Sequence, residues 1–204
     1  MTDMKEKRLS WDEYFLGLAD AASKRATCNR GRSGCVIVRD KQVLATGYVG
    51  SPAGLPHCDD VGHLMKKAIQ EDGTITEHCL RTVHSEQNAI CQAAKRGISI
   101  LGATVYTRMT PCRTCTMLLI NCGVKRIVCE RKYQLAGESE SMLAEVGVEL
   151  RYMHDEIQPY ESQRTMLVEV NSPEYYLSFL RSSGLPHPIY LVPYLASRFE
   201  VTSD

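Results

Sequence analysis

Two short stretches of this 204-residue chain carry side chains able to hold a metal ion and move a proton. "TVHSEQNAI" sets His84 and Glu86 two positions apart, and "TPCRTC" sets Cys112 and Cys115 three apart. Apolar periodicity predicts that a helix starts at each stretch. Two thiols one turn apart at a helix N-terminus can reach the same ion, and the unpaired backbone N–H groups there favour their thiolates. His84 at the start of the preceding helix adds a neutral nitrogen. One His and two Cys make three protein ligands, so a tetrahedral zinc keeps its fourth position for water, as catalytic zinc sites do. Zinc brings the pKa of such a water down from about 15.7 to about 7. Glu86, two positions from a ligand, can sit beside the bound water without coordinating the metal. It is well placed to take a proton from that water and pass it to a leaving amine.

Each half alone has a plainer reading. A histidine at a helix start is usually structural, and a lone C-x-x-C can be a redox pair or half of a zinc ribbon. A ribbon needs a second C-x-x-C, which this sequence lacks. A redox pair leaves His84 and Glu86 without a purpose. H-x-E followed by P-C-x-x-C, with Pro111 directly before the first thiol, accounts for both halves and is the signature of zinc deaminases.

The surrounding elements must bring the two helix starts together. "SWDE" from Ser10 is a capping-box pattern that opens a helix over residues 11 to 26. "GCVIVRDKQVLATGY" is β-rich on both sides of Asp40-Lys41 and predicts a hairpin. Residues 50–81 are rich in Gly, Pro, His, Cys and Asp, and loops of that length in a compact domain usually carry function. Then follow the His84 helix ending at Gly97, the strand "ATVYTRM", the Cys112 helix ending at Gly123, and the strand "VKRIVCE". A helix over 136–146 and the strand "VELRYM" complete the series. This order predicts an α/β fold, a mixed five-stranded sheet sandwiched by helices. The deaminase-type domain is expected over residues 1–155. Residues 156–204, with the helical "EYYLSFLR" and the Pro-punctuated "LPHPIYLVPYL", are expected to form an extended C-terminal arm on the body or on a neighbouring subunit.

Composition narrows the class. Lys+Arg and Asp+Glu both number 24, so the net charge is zero and argues against binding long nucleic acid or a membrane surface. Nothing in "MTDMKEKRLS" resembles a signal peptide, and no run is apolar enough to span a membrane. The nine cysteines, an odd and uneven set, point to metal ligands and buried free thiols in a cytoplasmic protein, not to disulfides.

At these motifs the chain resembles the cytidine and deoxycytidylate deaminase superfamily, most closely its dCMP deaminases. The similarity runs over about residues 10–152 and includes "ATCNRGRSGCVIV", "TGYVGSPAGLPHCDDVG" and "HCLRTVHSEQNAI". It implies zinc-dependent hydrolysis of dCMP to dUMP and ammonia, feeding thymidylate synthesis. Zinc would be held by His84, Cys112 and Cys115, with Glu86 carrying protons to the ring nitrogen and the departing amine. It also implies a homohexamer activated by dCTP and inhibited by dTTP, and a backbone contact from Cys35 to the base. A second, structural zinc is implied on Cys28, Cys58 and Cys79, with His57 or His78 as fourth ligand. Cys91, Cys122 and Cys129 are expected in the core. Arg30, Arg32 and Ser51 are the expected phosphate contacts, since Arg grips phosphate oxygens bidentately. One position departs from the family: Val49 stands where relatives carry an asparagine that hydrogen-bonds the sugar. The alternative readings are a deaminase of another nucleotide, nucleoside or RNA base, or a homologue with altered catalysis that serves binding or regulation.

Overall fold

A computed structural model describes residues 8–69 and 75–158 of the chain. The described residues, apart from Ile69 and Ile75, fall in one compact unit, which carries the fold set out below. The expected arm beyond residue 158 lies outside the described residues.

Helix α1 (Trp11–Ser23) opens with the expected capping box: Ser10 Oγ accepts from the Glu13 N–H, and the Glu13 carboxylate accepts from the Ser10 N–H at 2.7 Å. It stops three residues before the expected end. There the chain turns, and the Thr27 N–H donates to the Val49 carbonyl at 3.0 Å, which brings Cys28 beside the segment after the hairpin. Strands β1 (Gly34–Arg39) and β2 (Gln42–Tyr48) form that hairpin. Asp40 and Lys41 both have positive φ, 52° and 62°. This is the two-residue turn whose twist matches paired strands.

Residues 50–81 are not a plain loop. They hold a one-turn helix α2 (Cys58–Val61) and a separate two-stranded sheet of β3 (Met65–Ile69) and β4 (Ile75–Cys79). Helix α3 (Ser85–Lys95), β5 (Thr104–Met109), α4 (Arg113–Asn121), β6 (Arg126–Tyr133), α5 (Gly137–Glu145) and β7 (Glu149–Tyr152) follow as expected, and a short β8 (Ile157–Gln158) ends the described chain.

The main sheet runs β2-β1-β5-β6-β7, with β8 also paired to β6. Strand β1 is antiparallel to β2 and β5, while β5, β6 and β7 are parallel, so the sheet is mixed. Alternation along the strands builds two cores. Cys35, Ile37, Val105, Ile127 and Cys129 pack with Ala89, Ala93, Leu119 and Leu143 of α3, α4 and α5. Val36, Val38, Tyr106 and Val128 pack with Phe15 and Ala19 of α1. Side chains of period two face opposite sides, and helices must cover both. Cys129 is buried as expected and Cys122 is half-buried, but Cys91 is exposed: it falls on the solvent side of α3. Among the described residues no helix is long and apolar enough to cross a membrane.

Candidate active site

Gly47 sets the position of α3. A Cβ there would collide with the Ser85 carbonyl and the Ala89 backbone, so only glycine lets the first turn of α3 press onto β2. The Asn88 side chain donates to the Tyr48 carbonyl at 2.7 Å and locks that contact. His84 is the residue from which α3 starts, and its backbone N–H donates to Gln87 Oε1 at 3.2 Å. Cys112 holds the same place on α4, and Cys115 lies buried within its first turn. The Pro111 carbonyl just before them accepts from Ser139 Oγ at 2.8 Å and Thr116 Oγ1 at 3.3 Å, which fixes how the chain enters α4.

The two helix starts converge. His84 Nδ1 lies 3.5 Å from Cys112 Sγ and 3.5 Å from Cys115 Sγ. A tetrahedral zinc with Zn–S about 2.3 Å and Zn–N about 2.0–2.1 Å puts sulfur and nitrogen ligands about 3.6 Å apart, so the donors fit that ion. The hydrogen bond with Cys115 holds the Cys112 thiol below its ordinary pKa, while the same contact pushes Cys115 up. The hydrogen bond to Cys112 raises His84.

Glu86 is 6% exposed, and burial pushes its carboxyl up from the ordinary carboxylate range. Ser85 Oγ donates to Glu86 Oε2 at 2.9 Å. Glu86, His84 and Cys112 share a pocket with Ser33, Val49, Met109, Thr110 and Tyr133. Three protein donors, a buried carboxyl and an accessible pocket can together activate a water against a polar carbon of a small molecule.

A second group of donors lies on an adjoining wall. Cys28, Cys58, His63 and Cys79 have ligand atoms all within 4.8 Å of one another. Cys28 Sγ to His63 Nδ1 and Cys58 Sγ to Cys79 Sγ are each 3.6 Å, again tetrahedral-zinc spacings. Burial pushes the Cys79 thiol up, but hydrogen bonds from the Arg81 and Leu64 backbone, together with its contacts to Cys58 and Cys28, hold it low, whereas burial raises Cys58. The histidine here corrects the sequence expectation: His63 joins the three thiols, not His57 or His78. His63 Nε2 meets Asn29 Oδ1 at 2.9 Å, which turns Nδ1 toward the sulfurs. His57 instead pairs its Nδ1 with Thr27 Oγ1 at 3.0 Å. His78 lines the catalytic pocket, and burial followed by the nearby His84 keeps its pKa low.

The expected substrate contacts separate. Arg30 lines the pocket and donates to the Glu77 carbonyl at 3.1 Å. Val49 also lines it, packed with Ala26, Cys28 and Cys58. Arg32 is exposed away from the pocket lining, and its carbonyl accepts from Arg108 Nη1 at 3.1 Å. Ser51 is half-buried, with an Oγ that meets no hydrogen-bond partner, and it too stands off the lining. The Cys35 side chain lies wholly in the core, where burial raises its thiol, which leaves only its backbone for the expected contact; Ser33, two residues before it, lines the pocket. Thr110 and Tyr133 were not singled out by sequence. Their signal is position: Thr110 directly precedes the P-C-x-x-C motif, and Tyr133 ends the neighbouring strand.

The family model for the cytidine and deoxycytidylate deaminase zinc-binding region matches residues 9–131. The Bacillus subtilis ComE operon protein 2 is 37% identical over 142 residues, 70% of this chain and 70% of its own length. The deoxycytidylate deaminase of Mycobacterium phage D29 is 37% identical over 59% of this chain and 94% of its own, whereas the chain spans 44% of the Schizosaccharomyces pombe enzyme. The crystal structure of the cyanophage S-TIM5 dCMP deaminase with dCMP and dUMP superimposes with a TM-score of 0.59 at 26% identity, covering 72% of this chain and all of that one. The match over most of the described fold, including both halves of the metal-binding motif, settles its kinship: the chain belongs to the cytidine and deoxycytidylate deaminase family.

Proposed function

We propose that this protein is a zinc-dependent deoxycytidylate deaminase, converting dCMP and water to dUMP and ammonia for thymidylate synthesis. One observation carries the reading: a buried Glu86 shares a pocket with His84 and Cys112, two members of a cluster of three metal donors, not four. A purely structural ion has no need of that carboxyl. The relatives named as deoxycytidylate deaminases support the choice of substrate.

His84, Cys112 and Cys115 would hold the zinc, which when bound supplies a water of lowered pKa at neutral pH. Glu86 takes the proton of the water that attacks carbon 4 of the cytosine ring. It delivers that proton to ring nitrogen 3 and a later one to the departing amine. Burial raises its carboxyl above the ordinary carboxylate range, the direction that favours proton uptake by such a group. Arg30 stands on the pocket wall as a partner for the 5′-phosphate. Val49 offers the sugar an apolar contact. Cys28, Cys58, Cys79 and His63 form a closed four-donor site for a structural zinc. A homohexamer, control by dCTP and dTTP, and a cytoplasmic location complete the proposal.

The test is a deamination panel of dCMP, deoxycytidine, CMP, cytidine and adenine nucleotides on zinc-loaded protein, followed by loss of cytosine absorbance and with dCTP or dTTP added. Turnover of dCMP above the rest is the expected result. Activity confined to cytidine or adenine compounds would overturn the substrate.

A further inference from the structure

A one-way chain of hydrogen bonds runs from outside the pocket to its wall. Lys132 Nζ holds the Glu140 carboxylate at 2.7 Å, and Tyr152 at the end of β7 donates its hydroxyl to Glu140 Oε1 at 2.9 Å. Its proton thus committed, the Tyr152 oxygen accepts from Thr110 Oγ1 at 3.0 Å. Thr110 Oγ1 in turn accepts the backbone N–H of Tyr133 at 3.1 Å. A carboxylate can only accept and an amide N–H can only donate, so both ends fix the direction of the chain.

The chain acts where the sheet opens. The parallel pairing of β5 with β6 reaches Met109 opposite Arg131 and goes no further. Beyond that point the Thr110 hydroxyl, not a backbone carbonyl, receives the Tyr133 N–H. Thr110 is 4% exposed, and both it and Tyr133 line the pocket. Thr110 also lies two residues before Cys112. Adjacent residues of α5 brace this crossing: Glu140 through Tyr152, and Ser139 on the Pro111 carbonyl at 2.8 Å.

We propose that Tyr152, which does not line the pocket, is a positioning residue for the substrate: through Thr110 it sets the spacing between the Tyr133 wall and the metal-bearing start of α4. The kinetic part of this inference rests on the dCMP reading above. Loss of the chain leaves the three metal donors and Glu86 in place but lets the wall drift, so binding suffers more than chemistry.

Tyr152→Phe keeps the ring and removes the hydroxyl, and Thr110→Val removes the middle link at nearly constant volume. Each is expected to raise KM for dCMP about fivefold to tenfold, the scale of one lost hydrogen bond, with kcat within about twofold. The double variant is expected to match the worse single one, because both break one chain. Glu140→Gln, which keeps an acceptor oxygen, shifts KM less than Glu140→Ala. Independently of any substrate, hydrogen exchange at the Tyr133 amide, read by NMR, quickens about tenfold in Tyr152→Phe. Unchanged KM, additive effects, kcat falling as KM stays, or unchanged Tyr133 exchange each overturns the proposal. A wild type inactive on dCMP overturns the substrate reading instead, and the exchange rate still decides the chain.

Discussion

The two donor clusters each lend residues to the same pocket, His84 and Cys112 from one and Cys28 and Cys79 from the other, but differ by a single ligand. His84, Cys112 and Cys115 offer three donors beside a buried carboxyl, while Cys28, Cys58, His63 and Cys79 offer four and have no carboxyl among them. Donor number separates their chemistry. Three ligands leave a tetrahedral ion one place for water, and four close it. Their supports differ in kind as well. The three-donor cluster stands on the starts of α3 and α4, two helices packed on the main sheet. The four-donor cluster gathers a turn after α1, the one-turn α2 and the end of β4, segments with little core of their own beyond Ala26 and Val49. The packed fold holds the first set of donors in place, whereas under the proposed reading an ion on the second set would hold those segments together.

The sharpest way to break that contrast is Glu86→Gln. It keeps volume and removes the ionisable group, so turnover is expected to fall about 10²–10⁴-fold, the usual worth of general acid–base catalysis. Bound zinc, measured by mass spectrometry of native protein, is expected to stay at the wild-type count. Retained activity would strip Glu86 of its role and leave the two clusters chemically alike.

Next in size is the closed cluster. His63→Ala is expected to lower the zinc count from two to one per chain and the Tm by about 10 °C or more, since structural zinc contributes folding free energy directly. His57→Ala and His78→Ala are expected to retain two. If His57→Ala or His78→Ala loses the ion while His63→Ala keeps it, the donor set read from the structure is wrong.

That contrast also marks where sequence reasoning reached its limit. The open cluster was legible because both of its halves begin periodic helices. Residue spacing within such a helix fixes direction. The layered sheet was legible for the same reason: Cys35 and Ile37 against Val36 and Val38 is plain alternation. The fourth donor of the closed cluster differs from the expected His57 or His78 because adjacency to Cys58 or Cys79 in sequence does not put a ring beside their thiols. In a strand, adjacent residues face opposite ways, so with Cys79 turned to the thiols His78 must look elsewhere, and it lines the catalytic pocket near His84. His57 precedes α2 and is taken up by Thr27. His63 follows Gly62, whose φ of 78° reverses the chain and brings the ring back to Cys28, a turn that periodicity does not reveal. Strands β3 and β4 escaped notice because charged residues such as Lys66 and Lys67 blur any alternation. Tyr133 and Thr110 escaped because no spacing rule links the end of one strand to the loop after another.

The smallest expected effect serves as the control, because it loosens the fold away from both clusters. Asp12, in the first turn of α1, accepts from Arg126 Nη1 at 2.7 Å and Nη2 at 2.9 Å, from Arg151 at 3.0 Å and from the Tyr106 hydroxyl at 3.0 Å. It ties α1 to the sheet face opposite α3 and α4. The Arg126 hydrogen bond holds the Asp12 carboxyl below its ordinary range, although burial pushes the other way. A carboxyl depressed in the folded state stabilises the fold above its unfolded pKa of about 3.9, and that stabilisation fades as pH falls through the folded value. Asp12→Asn is therefore expected to cost about 1.5–3 kcal/mol at pH 7, the range for hydrogen bonds to a charged group. Urea unfolding from pH 7 downward should show the gap between the variant and the wild type shrinking once pH drops below the unfolded value of about 3.9, and closing only after pH has passed through the depressed folded value. Zinc count and kcat at 25 °C should match the wild type, because α1 touches neither set of donors. A variant that sheds metal from the closed cluster alone would show that this cluster leans on α1 through the turn before Cys28, and does not stand by its own ligands.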